Sequence, residues 1–151
     1  MTTSTPPDPA FQQALAAHTT VTLAYADADG PQACAVLYAP TERATLLFLS
    51  SPTTRHGRAL DGARAAFTVQ ADGQEWRTIT GLQGHGTCRT VTDPAARDAA
   101  WAVYAARFTF LAEDPALTAA LARTALWELT PTDLRLIDNS RGFGDHREWS
   151  A

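Results

Sequence analysis

Leu46-Leu47-Phe48-Leu49-Ser50-Ser51-Pro52-Thr53-Thr54-Arg55-His56-Gly57-Arg58-Ala59-Leu60 runs from an apolar stretch through a hydroxyl-rich turn into a helix start. Four apolar residues bounded by a turn signal suit a strand buried on both faces, and Pro52 ends it. Thr53 or Thr54 then serves as N-cap, so the first free N–H groups and the positive end of the helix face the turn. A phosphate would sit well there. Ser50, Ser51, Thr53 and Thr54 offer hydroxyls, and Arg55 and Arg58, three apart, share a helical face. An ordinary capped helix with solvated arginines and a solvated His56 accounts for the same residues.

Working outward, Val21, Leu23 and Tyr25 alternate with threonines and alanines over Thr19–Ala26, and Asp27-Ala28-Asp29-Gly30-Pro31 is a hairpin turn. A second strand returns over Gln32–Ala39, so the first three strands form an antiparallel meander. Asp61-Gly62 ends the short helix. Arg64–Gln70 is a fourth strand with Ala65, Phe67 and Val69 on one side, and a long β stretch follows from Trp76 to Thr92. Its Gly81, Gly84 and Gly86 predict bends or bulges at a barrel corner. A glycine-rich nucleotide loop is excluded, because the GxGxxG order is absent and no helix follows directly.

Asp93-Pro94 starts a helix to about Phe110, with Ala96, Ala100, Val103, Tyr104 and Arg107 on one face. Pro115–Ala125 is a further helix. Trp127–Leu129 and Leu134–Asp138 are expected as two closing strands around the turn Thr130–Asp133, and the tail Asn139–Trp149 as irregular. At the other end, residues 1–8 are expected to be a disordered leader before a single domain over 9–151. Asp8-Pro9 caps a helix to about Ala17 that packs Phe11 and Leu15 inward. The sum is a mainly β, α+β chain: a closed or split antiparallel barrel of about seven strands with flanking helices, rather than a parallel βαβ sheet.

Composition narrows the chemistry. The 151 residues carry a net charge of −4 with no basic cluster, which argues against nucleic acid or an anionic membrane as partner. No apolar run reaches a membrane span, and a cytoplasmic protein is expected. All twelve basic residues are arginine, so a Schiff-base lysine, a lysine general base and a Walker-type P-loop are excluded. Cys34 and Cys88 are expected as free thiols in a reducing compartment. The four histidines, His18, His56, His85 and His146, are too scattered for a metal site, and no catalytic triad or paired carboxylate stands out.

The strand, the Ser/Thr-rich turn and Thr54-Arg55-His56-Gly57 together resemble the FMN-phosphate segment of the pyridoxamine 5′-phosphate oxidase-like split barrels. There a Ser-Arg-Lys run usually occupies this place; Thr54 and His56 replace its Ser and Lys, as in a small bacterial branch with Thr-Arg-His-Gly. The tail Asp138-Asn139-Ser140-Arg141-Gly142-Phe143-Gly144 is similar to that branch's ending. The resemblance implies a homodimer with FMN at its interface. Ser50, Ser51, Thr54, Arg55 and His56 would hold the ribityl phosphate, with affinity falling as pH rises through the His56 titration. Ala33, Cys34, Ala35 and Val36 would contact the isoalloxazine ring, largely through backbone, and Trp76, Arg77 and Thr78 would reach it from the partner subunit. The tail is expected at the dimer contact first and at the flavin second. The implied activity is that of an oxidoreductase on a small molecule, for which the cofactor carries the redox chemistry. A non-enzymatic flavin-binding or redox-sensing protein is the alternative, as is a haem or deazaflavin variant of the same fold, with His85 or His146 as the axial candidates.

Overall fold

A computed structural model describes residues 5–151. Phe48 opposes Tyr38 on one side and Trp127 on the other, so the strand of the opening stretch, β3 (Leu46–Ser50), has two neighbours rather than a free edge. Those neighbours are β2 (Gly30–Pro40) and β6 (Ala125–Asp138). With β1 (Thr20–Asp27), β4 (Arg64–Gln70) and β5 (Thr80–Thr90), the order β3-β2-β1-β4-β5-β6 closes back on β3, and every pairing is antiparallel. Closure removes the edge that an open sheet would leave unpaired.

Period-two alternation decides what fills the barrel. Val21, Leu23, Tyr38, Leu46, Phe48, Phe67, Val69, Leu82, Cys88 and Trp127 are all buried in one cluster. Phe11 and Leu15 of α1 (Pro9–Ala17) join it, after the Asp8 side chain caps that helix by accepting from the Ala10 N–H at 2.8 Å. Leu47 points the other way, with Ala39, into a second cluster built with Tyr104, Phe108 and Leu111. The apolar run is therefore buried on both faces, as its composition predicts.

Several expectations are corrected. The helix α3 (Pro94–Arg107) stops before Phe108, and α4 (Phe110–Glu113) and α5 (Pro115–Ala122) follow it. Its packed face carries Trp101 and Tyr104, while Val103 is exposed, because Trp101 and Tyr104 stack at 6.5 Å and bring the larger apolar surface. Trp127–Leu129 and Leu134–Asp138 form one continuous β6, since β5 pairs along its whole length. The tail is not wholly irregular: β7 (His146–Ser150) lies on the edge of β6 that β3 leaves free, opposite Asp133–Ile137. Trp76–Thr78 is a single 3₁₀ turn rather than the head of β5. The expected disordered leader falls partly outside the described residues. Its described end is held, with Pro7 buried and the Thr5 carbonyl accepting from Trp149 Nε1 at 3.0 Å.

The glycines of β5 act as expected, with a register shift between His85 and Gly86. A Cβ at Gly84 would lie 2.5 Å from the Asp133 carbonyl oxygen and 2.8 Å from Phe67 Cζ. Neither a ladder carbonyl nor a core ring can retreat at low cost. Gly84→Ala is therefore expected to lower stability by about 1–3 kcal/mol, read as a fall in the denaturant midpoint at unchanged m-value.

Candidate functional site

The turn after β3 is built from its own hydroxyls. Thr54 caps α2 (Arg55–Leu60), accepting from the Gly57 N–H at 3.1 Å while its hydroxyl donates to the Ser51 carbonyl at 2.8 Å. Both functions of that hydroxyl are thus spent on the fold. Ser50 Oγ lies 2.5 Å from His56 Nε2. Among the described residues no carboxylate bonds His56, so the pair is not a catalytic triad. Ser51 and Thr53 keep exposed hydroxyls that meet each other at 2.8 Å. The Arg55 and His56 amides are taken up by no backbone carbonyl among the described residues. A Cβ on Gly57 would lie 2.4 Å from the Ser51 carbonyl, so only glycine lets the helix press this closely on the turn.

Arg55 reaches back to the β1–β2 hairpin. Its Nε donates to Asp27 Oδ2 at 2.8 Å and its terminal nitrogen to Asp29 Oδ2 at 2.6 Å. The hydrogen bond from Arg55 holds the Asp27 carboxyl below its ordinary range. Arg58 folds over the turn and donates to the Thr53 carbonyl at 2.9 Å. Both guanidinium groups line one open cleft of about 520 Å³ with Ala26, Asp27, Ala28, Asp29 and Ala59. The two arginines come together as the spacing predicts; the two aspartates were legible only as turn residues.

The ring segment divides between two faces. Cys34 and Val36 pack toward the barrel interior, whereas Ala33 and Ala35 lie exposed on its outside. Side chains of all four residues cannot meet one ligand face, and the expectation survives only for Ala33 and Ala35, or through backbone. Cys34 and Cys88 are free, and burial pushes the Cys88 thiol up to about 12.

Trp76, Arg77 and Thr78 stand elsewhere. Arg77 stacks over the Trp76 ring at 4.6 Å, and the exposed Phe143 meets Trp76 edge-on at 6.3 Å. Asn139 Nδ2 secures this corner by donating to the Trp76 carbonyl at 2.7 Å. β4 runs against β1 with Val21 opposite Val69, so the Trp76 turn lies at the Thr20 end of β1 and the Arg55 cleft at the Asp27 end. Seven strand steps put roughly 20 Å between them. One chain does not bring the two groups together.

Two further constellations escaped the sequence reading. His85 Nδ1 lies 2.9 Å from Asp133 Oδ1 across β5 and β6, a pairing of residues 48 positions apart that no local motif signals. His18 is buried with neither ring nitrogen partnered among the described residues, while the Arg107 guanidinium donates to the His18 carbonyl. Burial, then the Arg107 charge, lowers the His18 pKa below its ordinary 6.5, and burial lowers that of His56. The unfolded chain then binds these protons first as pH falls, so stability is full above about pH 6.5 and drops below it. Thermal midpoints are expected to fall from pH 7 to pH 5, with a shallower fall in His18→Phe; an unchanged slope in that variant would remove His18 from the explanation.

The family model of pyridoxamine 5′-phosphate oxidase matches residues 7–138. No curated protein matches the chain. Among solved structures, a conserved hypothetical protein from Mycobacterium tuberculosis superposes with a TM-score of 0.74 at 18% identity, over 100% of this chain and 96% of that one. An FAD-binding protein from Mesorhizobium loti gives 0.64 at 21%, over 95% and 96%. A haem-binding protein from Mycobacterium smegmatis gives 0.70 at 21%, over 97% of this chain and 59% of that larger one. At these identities the likeness is one of fold.

Proposed function

Because the chain belongs to the pyridoxamine 5′-phosphate oxidase family, we propose that it is a flavoprotein, binding FMN between two copies of itself, and an oxidoreductase on a small molecule. The observation that carries this is the shared cleft of Arg55 and Arg58 beside the Ser51 and Thr53 hydroxyls. Planar guanidinium groups and hydroxyl donors around a concave opening are the donor set a phosphate monoester takes. The residues fit the group, with one qualification of chemistry: Asp27 and Asp29 already engage Arg55, so a phosphate must share or displace them.

The homodimer is supported by the separation of the two half-sites. Trp76 is 56% exposed and Phe143 86% exposed, a cost an isolated chain has no reason to bear. A second copy would bring that corner to the far end of the first copy's cleft. The bound flavin would supply hydride and electron transfer. Ser51, Thr53, Arg55 and Arg58 would grip its phosphate, Ala33 and Ala35 would leave room for a close-lying ring, and Trp76 with Arg77 would shield the ring from water. Two free thiols suit a reducing, cytoplasmic compartment.

The purified protein, incubated with FMN and desalted, is expected to keep a flavin absorption spectrum and to run as a dimer in light scattering. Loss of all flavin on desalting would sink the reading. Steady oxidation of a reduced nicotinamide by the loaded protein favours an enzyme over a sensor. Haem is the second reading, favoured by a half-exposed His85 whose Nδ1 is held by Asp133 and by the haem-binding neighbour. A Soret band would decide for it, and a deazaflavin would be distinguished by its blue-shifted absorption.

A further inference from the structure

Register places five side chains in one row across the outside of the barrel. Ala33 pairs with Ala24, Ala24 with Ala66, Ala66 with His85, and His85 with Asp133. Their strand neighbours Leu23, Phe67 and Leu134 are buried, so by alternation the row faces outward. Three alanines on adjacent strands make a flat floor about 10 Å across, the length scale of a tricyclic heterocycle. At its end stands the His85 imidazole, half exposed and held by its bond to Asp133. Gly84 and Gly86 flank His85 where β5 and β6 approach too closely for a side chain, and the bulge at His85/Gly86 turns the ring onto Asp133. Thr132 Oγ1 donates to Asp133 Oδ2 at 3.2 Å, fixing the carboxylate in turn.

We propose that His85, oriented by Asp133, accepts an imide N–H from the edge of a planar heterocycle lying on the Ala33–Ala24–Ala66 floor, and so selects ring systems that carry one. This rests on the flavin reading and names what recognises the ring. Although partial burial opposes it, the hydrogen bond and charge of His85, then Thr132 and Arg64, keep the Asp133 pKa low, so a carboxylate faces Nδ1. A proton on Nδ1 toward that carboxylate leaves a lone pair on Nε2, which meets no protein partner among the described residues. Asp27 lies three strand steps beyond Ala24, about 10 Å, so the Arg55 cleft stands within a ribityl chain of the floor. The charged groups around His85 are Arg64 of β4, Asp133 and Arg135 of β6 and Glu148 of β7; the last two line the same cleft as His85 and Asp133.

The test compares FMN with its N3-methyl derivative, which lacks the imide hydrogen, by fluorescence titration of wild type, His85→Ala and His85→Gln. Wild type is expected to prefer FMN about tenfold, the worth of one hydrogen bond left unmade. His85→Ala should lose the preference, and His85→Gln, which keeps a hydrogen-bond acceptor at that position, should restore it. Equal discrimination in His85→Ala and wild type, at matched circular dichroism, overturns the role of His85 while leaving flavin binding intact. Absence of FMN binding in wild type overturns the flavin reading and this proposal together, and a Soret band lost in His85→Ala reassigns the residue to haem.

Discussion

Trp127→Ala is expected to lower the unfolding free energy by about 3–5 kcal/mol. Trp127 is 1% exposed, stacks on Phe48 with ring centroids 5.9 Å apart and planes 9° from parallel, and sits where β6 is shared between β3 and β5. Truncation leaves a cavity in the seam that closes the barrel, against the ring of Phe48. A second consequence reaches the site. Trp127 Nε1 donates to the Ser50 carbonyl at 3.0 Å, so the indole also anchors the first residue of the hydroxyl turn. Trp127→Phe separates the two roles: it keeps most of the packing and should cost less stability, while loosening the turn and weakening FMN. Urea unfolding and flavin titration of both variants give the answer. Equal midpoints for wild type and Trp127→Ala would mean the barrel does not close through this residue.

Arg55→Ala is expected to weaken FMN by about ten- to hundredfold, the range for losing a charge-assisted hydrogen bond, with riboflavin affinity nearly unchanged. The selectivity is the informative part, because riboflavin lacks only the phosphate. Stability should move little, since Arg55 and Asp29 are exposed and only Asp27 is partly covered, so the ion pairs are largely screened by water and salt. Asp27→Asn with Asp29→Asn releases Arg55 from its intramolecular partners. FMN should then bind more tightly, most visibly at low salt. Weaker FMN in that double variant would show instead that the aspartates aim the guanidinium, and equal loss of FMN and riboflavin in Arg55→Ala would move the phosphate elsewhere.

Much of the architecture was legible where side-chain pattern and secondary structure share a period. Val21, Leu23, Phe67 and Val69 alternate as barrel-facing residues should, and Asp8, Thr54 and Asp93 each cap the helix they precede. The errors fall where pattern is weak. Thr130-Pro131-Thr132-Asp133 has the composition of a turn, yet β5 and β7 supply ladder partners around it and hold it in β6. The tail's glycines hid β7 for the same reason, because pairing with β6, not local propensity, makes that strand. In α3 the choice between Val103 and Trp101 depended on which surface waited beneath, and Leu47 with Ala39 could not be seen to form it.

The amino-acid sequence by itself determined the strand pattern, the capped turn of Thr54, Arg55 and Arg58, and the family to which they belong, because these depend on residues close together in the chain. Tertiary structure alone decided that Asp27 and Asp29 engage Arg55, that Ala33 and Cys34 face opposite sides, and that His85 meets Asp133 at the end of an alanine row. Each of those is a matter of strand register, and register is a property of the closed sheet rather than of any one segment.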